Sequence, residues 1–240
     1  MKIILSKKKL INIVNKEKDI GFVPTMGKIH KGHISLVKKS NFLCQKTLVS
    51  IFINRPQFNK EADYQKYPRN RKRDILLLKK NKVDYLYLPT KKQIYPSRIN
   101  RKIKIHQFSE KLCGKFRPHH FKAVADVINR FLKIISPTKI FLGEKDMQQL
   151  KIIEDFMRRK KIKTRVIQCK TIRESNGIAY SSRNSLLSVK QRKIASQIYK
   201  LIVRSKKKIL KKNNLLMKFN KDIYKLGADK IDYIKIHDIN

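Results

Sequence analysis

Short apolar runs alternate with longer segments of helical periodicity over the first 170 residues, and this alternation constrains the fold more than any other feature. The segment FKAVADVINRFLKII carries apolar residues at helical spacing, so one face of that helix must be buried. The short runs are rich in β-branched and aromatic residues, as strands are: IGFVPT (20–25), TLVSIFI (47–53), VDYLYLP (83–89), KIFLG (139–143) and TRVIQC (164–169). The pattern predicts an α/β fold with a parallel sheet and right-handed crossovers.

The pattern changes after about residue 170. SVKQRKIASQIYKLIVRSKKKIL and LLMKFNKDIYKLG have the periodicity of basic amphipathic helices, and KIDYIKIHD alternates as a strand does. We therefore predict two domains, residues 1–170 and residues 171–240, of which the second is small and of α+β type.

The chain is strongly basic, with 60 lysines and arginines against 17 aspartates and glutamates and a formal net charge of +43. Clustered basic residues would favour nucleic acid, which is one alternative function. The lysines are spread through every segment, however, and the basic runs RSKKKILKKNN and MRRKKIK contain no aromatic residue on which a base could stack. A/T-rich codons would produce the same excess of lysine, isoleucine and asparagine. We therefore expect no specific nucleic-acid partner.

Cysteine usage and hydropathy predict the compartment. Cys44, Cys113 and Cys169 form no CxxC pair, which favours a reducing environment and argues against a structural zinc site. No apolar run approaches the ~18 residues of a membrane helix, and the first ten residues do not resemble a signal peptide. We expect a cytoplasmic protein without a membrane partner.

The segment VPTMGKIHKGH follows the first long strand run, and ligands of parallel sheets bind beyond the carboxyl ends of the strands. Gly27 permits a tight turn, and Gly32 allows close approach of a ligand to the backbone. His30 and His33 would share one side of the first turn of a helix, where free N–H groups favour an anion. The pair suits the polyphosphate of a nucleotide, although HxGH alone is equally compatible with chance or with capping.

Polar residues follow three other strand runs. Asn54 and Gln57 come after the second, and their neutral amides suit a small polar substrate. In GEKD, Gly143 would make the turn, Asp146 would cap the next helix, and Lys145 would face the same cleft as His33. Ser181 to Arg183, which follow the fifth run, are donors that suit a phosphate. Each segment alone is also compatible with an ordinary polar loop.

The motifs PTMGxxHxGH, SIFxNxxQF, YPR, RPxHF, FLGEKDxQQL and SSRN together resemble those of the pantothenate synthetase (pantoate–β-alanine ligase) family, over roughly residues 1–225. The family belongs to the HxGH nucleotidylyltransferase superfamily. The resemblance implies a Rossmann-like parallel sheet in residues 1–170, which would bind nucleotide and pantoate, and a truncated C-terminal lid domain in residues 171–240. It also implies a homodimer that condenses pantoate with β-alanine, using ATP and magnesium, through a pantoyl adenylate.

The resemblance also implies roles for individual residues. His33 and Lys145 would be catalytic, Gln57 and Gln149 would bind pantoate, and Gln57 would also lie beside β-alanine. Asp74 would be a magnesium ligand. The ATP site would consist of Met26, Gly27, Lys28, Ile29, His30, Lys31, Gly32, His33, Gly143, Glu144, Lys145, Asp146, Ile172, Tyr180, Ser181, Ser182 and Arg183.

The chain departs from the family pattern at several positions. A left-handed backbone at His119, which replaces a glycine, would cost about 1–3 kcal/mol. The other departures are Arg55 and Pro56 in NRPQF, Lys122 and Ala123 in RPHHFKAV, and Tyr180 in place of a smaller apolar residue. They leave a degenerate, non-catalytic relic as an alternative function, but the five retained polar residues argue against it: His30, His33, Lys145, Gln149 and Arg183.

Overall fold

The computed structural model describes residues 1–96, 103–211 and 215–237, and within them the chain forms six strands and ten α-helices. The strands are β1 (Lys2–Ile4), β2 (Ile20–Thr25), β3 (Lys46–Ile51), β4 (Tyr85–Tyr87), β5 (Lys139–Gly143) and β6 (Arg165–Cys169). The helices are α1 (Lys7–Val14), α2 (Lys31–Leu43), α3 (Glu61–Gln65), α4 (Arg71–Lys80), α5 (Lys91–Ile94), α6 (Cys113–Phe116), α7 (His120–Ile135), α8 (Met147–Arg159), α9 (Val189–Lys211) and α10 (Leu215–Lys225).

The strands form one parallel sheet in the order β1-β4-β3-β2-β5-β6. The prediction of a parallel α/β fold is thereby confirmed, and each of the five predicted runs contains a strand. β1 was not predicted, because three residues are too few to show a period of two. It pairs with β4 at one edge of the sheet, in the register Ile3 to Leu86.

Both faces of the sheet are buried. Phe22 and Leu48 pack into one hydrophobic cluster together with Phe131 of α7. The next residue along each strand, Val23 and Val49, packs into a second cluster on the opposite face. A parallel sheet covered on both faces is built from nearly continuous apolar runs, which explains why these strands could be recognised in the sequence.

The chain divides into two compact units, Met1–Ile172 and Arg173–Asn240. In the second, α9 and α10 pack through a small cluster that contains Ile209, Phe219 and Ile223. The strand predicted in KIDYIKIHD is wrong over residues 230–237, and its last residue lies outside the described part. No partner strand lies beside it among the described residues of this unit, and a strand without a partner is not stable alone.

Within the described ranges, none of the helices combines the length and apolar character that a bilayer crossing requires.

Candidate active site

The carboxyl ends of β2 and β5 mark the point where the sheet reverses its order, since β2 lies between β3 on one side and β5 on the other. Open parallel sheets bind ligands at such a point. β2 leads there into the loop 26–30 and α2, and β5 leads into a 3₁₀ turn, Glu144–Asp146, and α8. Two of the predicted anion-binding segments therefore leave the sheet from neighbouring strands.

A tight turn follows β2, as expected at Gly27. The Thr25 hydroxyl donates to the Ser50 carbonyl oxygen at 2.7 Å and accepts the Gly27 N–H at 3.2 Å. Gly27 has φ of 83° and Lys28 has φ of 50°, so two successive residues are left-handed. The turn directs the chain into α2, which begins at Lys31 and has His30 at its N-cap.

The imidazole rings of His30 and His33 stack on each other, with centroids 3.9 Å apart and planes inclined by 25°. Burial is the main cause that lowers the pKa of His30 to about 4, with the nearby charge of Lys145 as a second cause. Burial, His30 and Lys145 hold the pKa of His33 well below its usual value. Both rings are therefore neutral at pH 7, and each has one N–H donor and one acceptor nitrogen.

His33 has an unsatisfied nitrogen. Its Nδ1 is buried and makes no hydrogen bond within the described part of the chain. Buried polar atoms of native proteins are nearly always hydrogen-bonded, so this nitrogen is suited to a ligand.

Lys145 lies close enough to act electrostatically on both histidines. Its Nζ is 3.2 Å from Oδ1 of Asp146. Asp146 occupies the N-cap of α8, but its side chain makes no capping hydrogen bond, so the capping role expected for it is wrong. Gly143 has an ordinary extended backbone, and a Cβ built there would meet no described atom within 4 Å. The turn therefore does not require glycine at this position.

Asp74, the expected magnesium ligand, is only 2% exposed. Its two carboxylate oxygens accept the backbone N–H groups of Lys28 at 2.8 Å and Ile29 at 2.7 Å. Among residues 1–96, 103–211 and 215–237, no three His, Cys, Asp or Glu side chains are grouped in a way that could hold a metal ion. The donor set does not fit a magnesium ion held by the protein.

Gln57, the expected pantoate ligand, belongs to a buried polar network after β3. Asn54, which is 1% exposed, donates to Gln57 Oε1 at 3.1 Å and to the Ala123 carbonyl oxygen at 3.3 Å. The Tyr95 hydroxyl donates to Asn54 Oδ1 at 2.7 Å, and burial raises the pKa of Tyr95, which keeps that donor protonated. The network holds Gln57 without a formal charge.

Gln57 also connects this network to its neighbours. Its Nε2 donates to Met26 Sδ at 3.1 Å, which joins the loops after β2 and β3. His120 Nδ1 lies 2.8 Å from the Gln57 carbonyl oxygen, at the start of α7. Neither Tyr95 nor His120 was predicted from the sequence to have a role in the site, although the motif RPHHF contains His120.

The two adjacent glutamines of MQQL have different environments. The Gln148 side chain accepts the Cys113 N–H at 3.1 Å and donates to the Phe108 and Lys111 carbonyl oxygens at 2.8 and 2.7 Å. Gln148 is thus occupied in holding the segment that contains α6. The partly buried side chain of Gln149 makes no such bond to any described residue, which leaves its amide available.

A sequence profile of the family described as pantoate-beta-alanine ligase matches residues 2–240. The chain belongs to this family. A pantothenate synthetase of Pseudothermotoga lettingae is 40% identical over 243 residues, which cover 95% of this chain and 83% of the relative. One of Clostridium botulinum is 38% identical over 250 residues, covering 99% and 88% of the two chains.

A solved structure from the same family has the same fold as this chain. The pantoate-beta-alanine ligase of Francisella tularensis, complexed with beta-gamma ATP and beta-alanine, superposes with a TM-score of 0.86 at 36% identity. The match covers 99% of this chain and 90% of that one.

The remaining residues expected at the ATP site of the ligase lie elsewhere in the chain. Ile172 is the last residue of the first unit and is 37% exposed. Tyr180 to Arg183 lie in the second unit, where Ser181 Oγ accepts the Arg183 N–H at 3.3 Å and Ser182 is buried. Their participation in one site with the histidines stays a prediction.

The departures from the ligase family pattern have structural consequences. His119 has φ of 64° and ψ of −6°, so the residue that replaces glycine does adopt the left-handed conformation. The Arg55 side chain contacts residues close to it in sequence. It donates to the Phe58 carbonyl oxygen at 3.0 Å, forms an ion pair with Glu61, and lies over the Tyr64 ring.

Proposed function

We propose that the chain joins pantoate to β-alanine in an ATP-dependent ligation with two half-reactions. A pantoate carboxylate oxygen attacks the α-phosphorus of ATP, and pyrophosphate leaves. The β-alanine amine then attacks the carbonyl carbon of the mixed anhydride, loses a proton, and AMP leaves with the bridging oxygen. One observation carries the proposal: two neutral histidines and Lys145 lie at the switch point of a parallel sheet.

Lys145 and His33 act on the charge that develops as pyrophosphate leaves. Lys145 supplies a positive charge beside the histidines, and His33 supplies a neutral donor within a partly dry site. Fixed donors aimed at developing charge commonly account for a factor of about 10² to 10³ in rate. The reaction needs little covalent assistance, so positioning and charge neutralisation carry the catalysis.

The nucleotide would contact the residues of three segments. In the first unit these are the loop and helix start after β2 and the turn after β5, and in the second unit the segment around Ser181. The full set is Met26, Gly27, Lys28, Ile29, His30, Lys31, Gly32, His33, Gly143, Glu144, Lys145, Asp146, Ile172, Tyr180, Ser181, Ser182 and Arg183.

Pantoate would be held by Gln57 and Gln149, and β-alanine by Gln57. Asn54 and Met26 orient the Gln57 amide, and Gln149 has a side-chain amide that is not used by the described fold. Neutral amides suit a hydroxy acid whose carboxylate must remain nucleophilic, because a cation placed directly on that carboxylate would lower its reactivity.

Magnesium enters as MgATP, bound to the phosphates of the substrate. We further propose that the protein works in the cytoplasm as a homodimer. No contact among the described residues of the site favours either the relic or the nucleic-acid alternative.

Release of AMP by the purified protein tests the function. We expect AMP to form at a sustained rate only when ATP, pantoate and β-alanine are all present, and omission of any one should reduce it to background. Background AMP with all three substrates at saturation would refute the ligase activity.

A further inference from the structure

The loop after β2 is fastened from a distant part of the chain. Asp74 lies in the first turn of α4, which has Asn70 as its N-cap, and accepts hydrogen bonds from the N–H groups of Lys28 and Ile29. These are the two amides that follow Gly27, where the chain is left-handed and cannot use a regular local bonding pattern. A carboxylate that accepts two backbone N–H groups forms charge-assisted bonds, which are stronger than neutral ones.

The fit between the carboxylate and the turn is close. A Cβ added to Gly27 would lie 3.2 Å from Asp74 Oδ2, so the oxygen packs directly against the glycine. The position of Asp74 in the first turn of α4 also places its negative charge at the favourable end of the helix dipole. Both features favour a structural role for the Asp74 carboxylate, which is to hold the turn at Gly27.

A magnesium ligand would need a different environment. Magnesium is held through one or two carboxylates and keeps several waters, which need room around the carboxylate. Asp74 is 2% exposed, and each of its oxygens already accepts an N–H. Within the described ranges, Asp74 is not part of any group of three or more His, Cys, Asp or Glu side chains that could hold a metal ion.

We infer that Asp74 is a positioning residue, which fixes the nucleotide loop through the Lys28 and Ile29 amides and does not bind magnesium. Its effect on catalysis rests on the proposed function, because the loop it fixes leads directly to His30 and His33. The effect of Asp74 on the loop does not depend on the proposed function, since the two hydrogen bonds exist in the free protein.

Backbone hydrogen exchange in the nucleotide-free, magnesium-free protein tests the anchor without any assay of activity. We expect Asp74→Asn and Asp74→Glu each to speed exchange at Lys28 and Ile29 by about tenfold or more, while the amides of β3 and α7 keep their wild-type rates. Asp84→Asn is the matched control, because Asp84 also accepts a distant backbone N–H, that of Thr47 at 2.8 Å. It should leave the Lys28 and Ile29 amides unchanged.

Magnesium dependence separates the two roles in the active protein. At each variant's saturating ATP, the magnesium concentration for half-maximal AMP release should stay within about twofold of wild type, while the KM for ATP rises about tenfold. Unchanged exchange at Lys28 and Ile29 would overturn the inference, as would a tenfold higher magnesium requirement. Exchange that rises equally in every element would show a general loss of stability and would also overturn it. If the wild type releases no AMP, the proposed function fails and the exchange experiment still decides the role of Asp74.

Discussion

The loops that follow β2 and β3 lie side by side and are built in opposite ways. The first, 26–30, ends at His30, whose ring stacks on His33 of α2, and a buried carboxylate holds its backbone. The second, 54–58, is held by the uncharged amides of Asn54 and Gln57. A hydrogen bond of 3.1 Å from Gln57 Nε2 to Met26 Sδ connects the two loops.

The difference suits the two kinds of substrate in the proposed reaction. Polyphosphate needs donors and a nearby cation, which the first loop obtains from the histidines and Lys145. Pantoate and β-alanine need orientation, which neutral amides give without holding a carboxylate too tightly. We therefore expect mutations in the first loop to affect adenylate formation and mutations in the second to affect stability and pantoate binding.

The largest effect on the rate should come from substitution of the residues proposed to stabilise charge on the phosphates. His33→Ala and Lys145→Ala should each slow adenylate formation by ~10²-fold or more, since each removes a fixed electrostatic stabiliser. Single-turnover kinetics would measure the step. Lys160→Ala, an exposed lysine at the other end of α8, is the control and should retain the wild-type rate. Near-normal rates in both site variants would refute the assigned roles.

A substitution in the second loop should mainly lower the stability of the protein. Asn54→Ala removes both side-chain hydrogen bonds that Asn54 donates and leaves the Tyr95 hydroxyl without its buried acceptor. We expect a loss of about 1–3 kcal/mol in the free energy of unfolding, together with a higher KM for pantoate. Denaturant titration measures the first quantity. Asn59→Ala, which loses one exposed bond to the Pro118 carbonyl oxygen, should change stability by under about 0.5 kcal/mol. Equal effects of the two substitutions would contradict the network.

Two glycines sharpen the distinction between fold and site. Gly27 has φ of 83°, so Gly27→Ala should destabilise the protein by about 1–2 kcal/mol. Gly143 has an ordinary backbone, and an added Cβ would meet no described atom within 4 Å, so Gly143→Ala should leave the melting temperature unchanged. Its added methyl group should instead raise the KM for ATP about tenfold, the scale of one misplaced methyl group in a binding pocket. A lower melting temperature with an unchanged KM would reverse this interpretation.

The last predicted effect is a pH dependence to which His30, at the end of the first loop, contributes. The pKa of His30 is about 4 in the folded chain and about 6.5 when unfolded, so between these values the unfolded state binds more protons. The contribution of His30 to the free energy of unfolding is therefore fully present above about pH 6.5 and is lost as the pH falls toward 4. His30→Gln should flatten the slope of unfolding free energy against pH between 4.5 and 6.5, whereas His119→Asn, at an exposed position, should not. An unchanged slope in His30→Gln would mean that the ring titrates normally.

Local sequence signals predicted the strands well, because apolar runs such as IGFVPT have no competing helical period. The same reasoning failed at KIDYIKIHD, where alternation without a partner strand does not produce a sheet. The expected strain at His119 could be stated in advance, since only the backbone conformation at one residue was needed, and its φ is indeed 64°.

The support of the site could not be predicted in the same way. Asp74 reaches amides 46 and 45 residues away, and Gln148 reaches Cys113 across 35 residues. Such bonds leave no periodicity or spacing in the sequence. Motifs therefore indicated candidate substrate-binding residues, and only the fold showed which residues hold those candidates in place.

Isotope exchange between pyrophosphate and ATP is the most direct test of the adenylate-forming cleft. With pantoate present and β-alanine absent, the wild-type protein should incorporate labelled pyrophosphate into ATP. His33→Ala should do so at least ~10²-fold more slowly. Exchange that needs no pantoate, or that proceeds equally well without the His33 ring, would contradict the role assigned to the loop after β2.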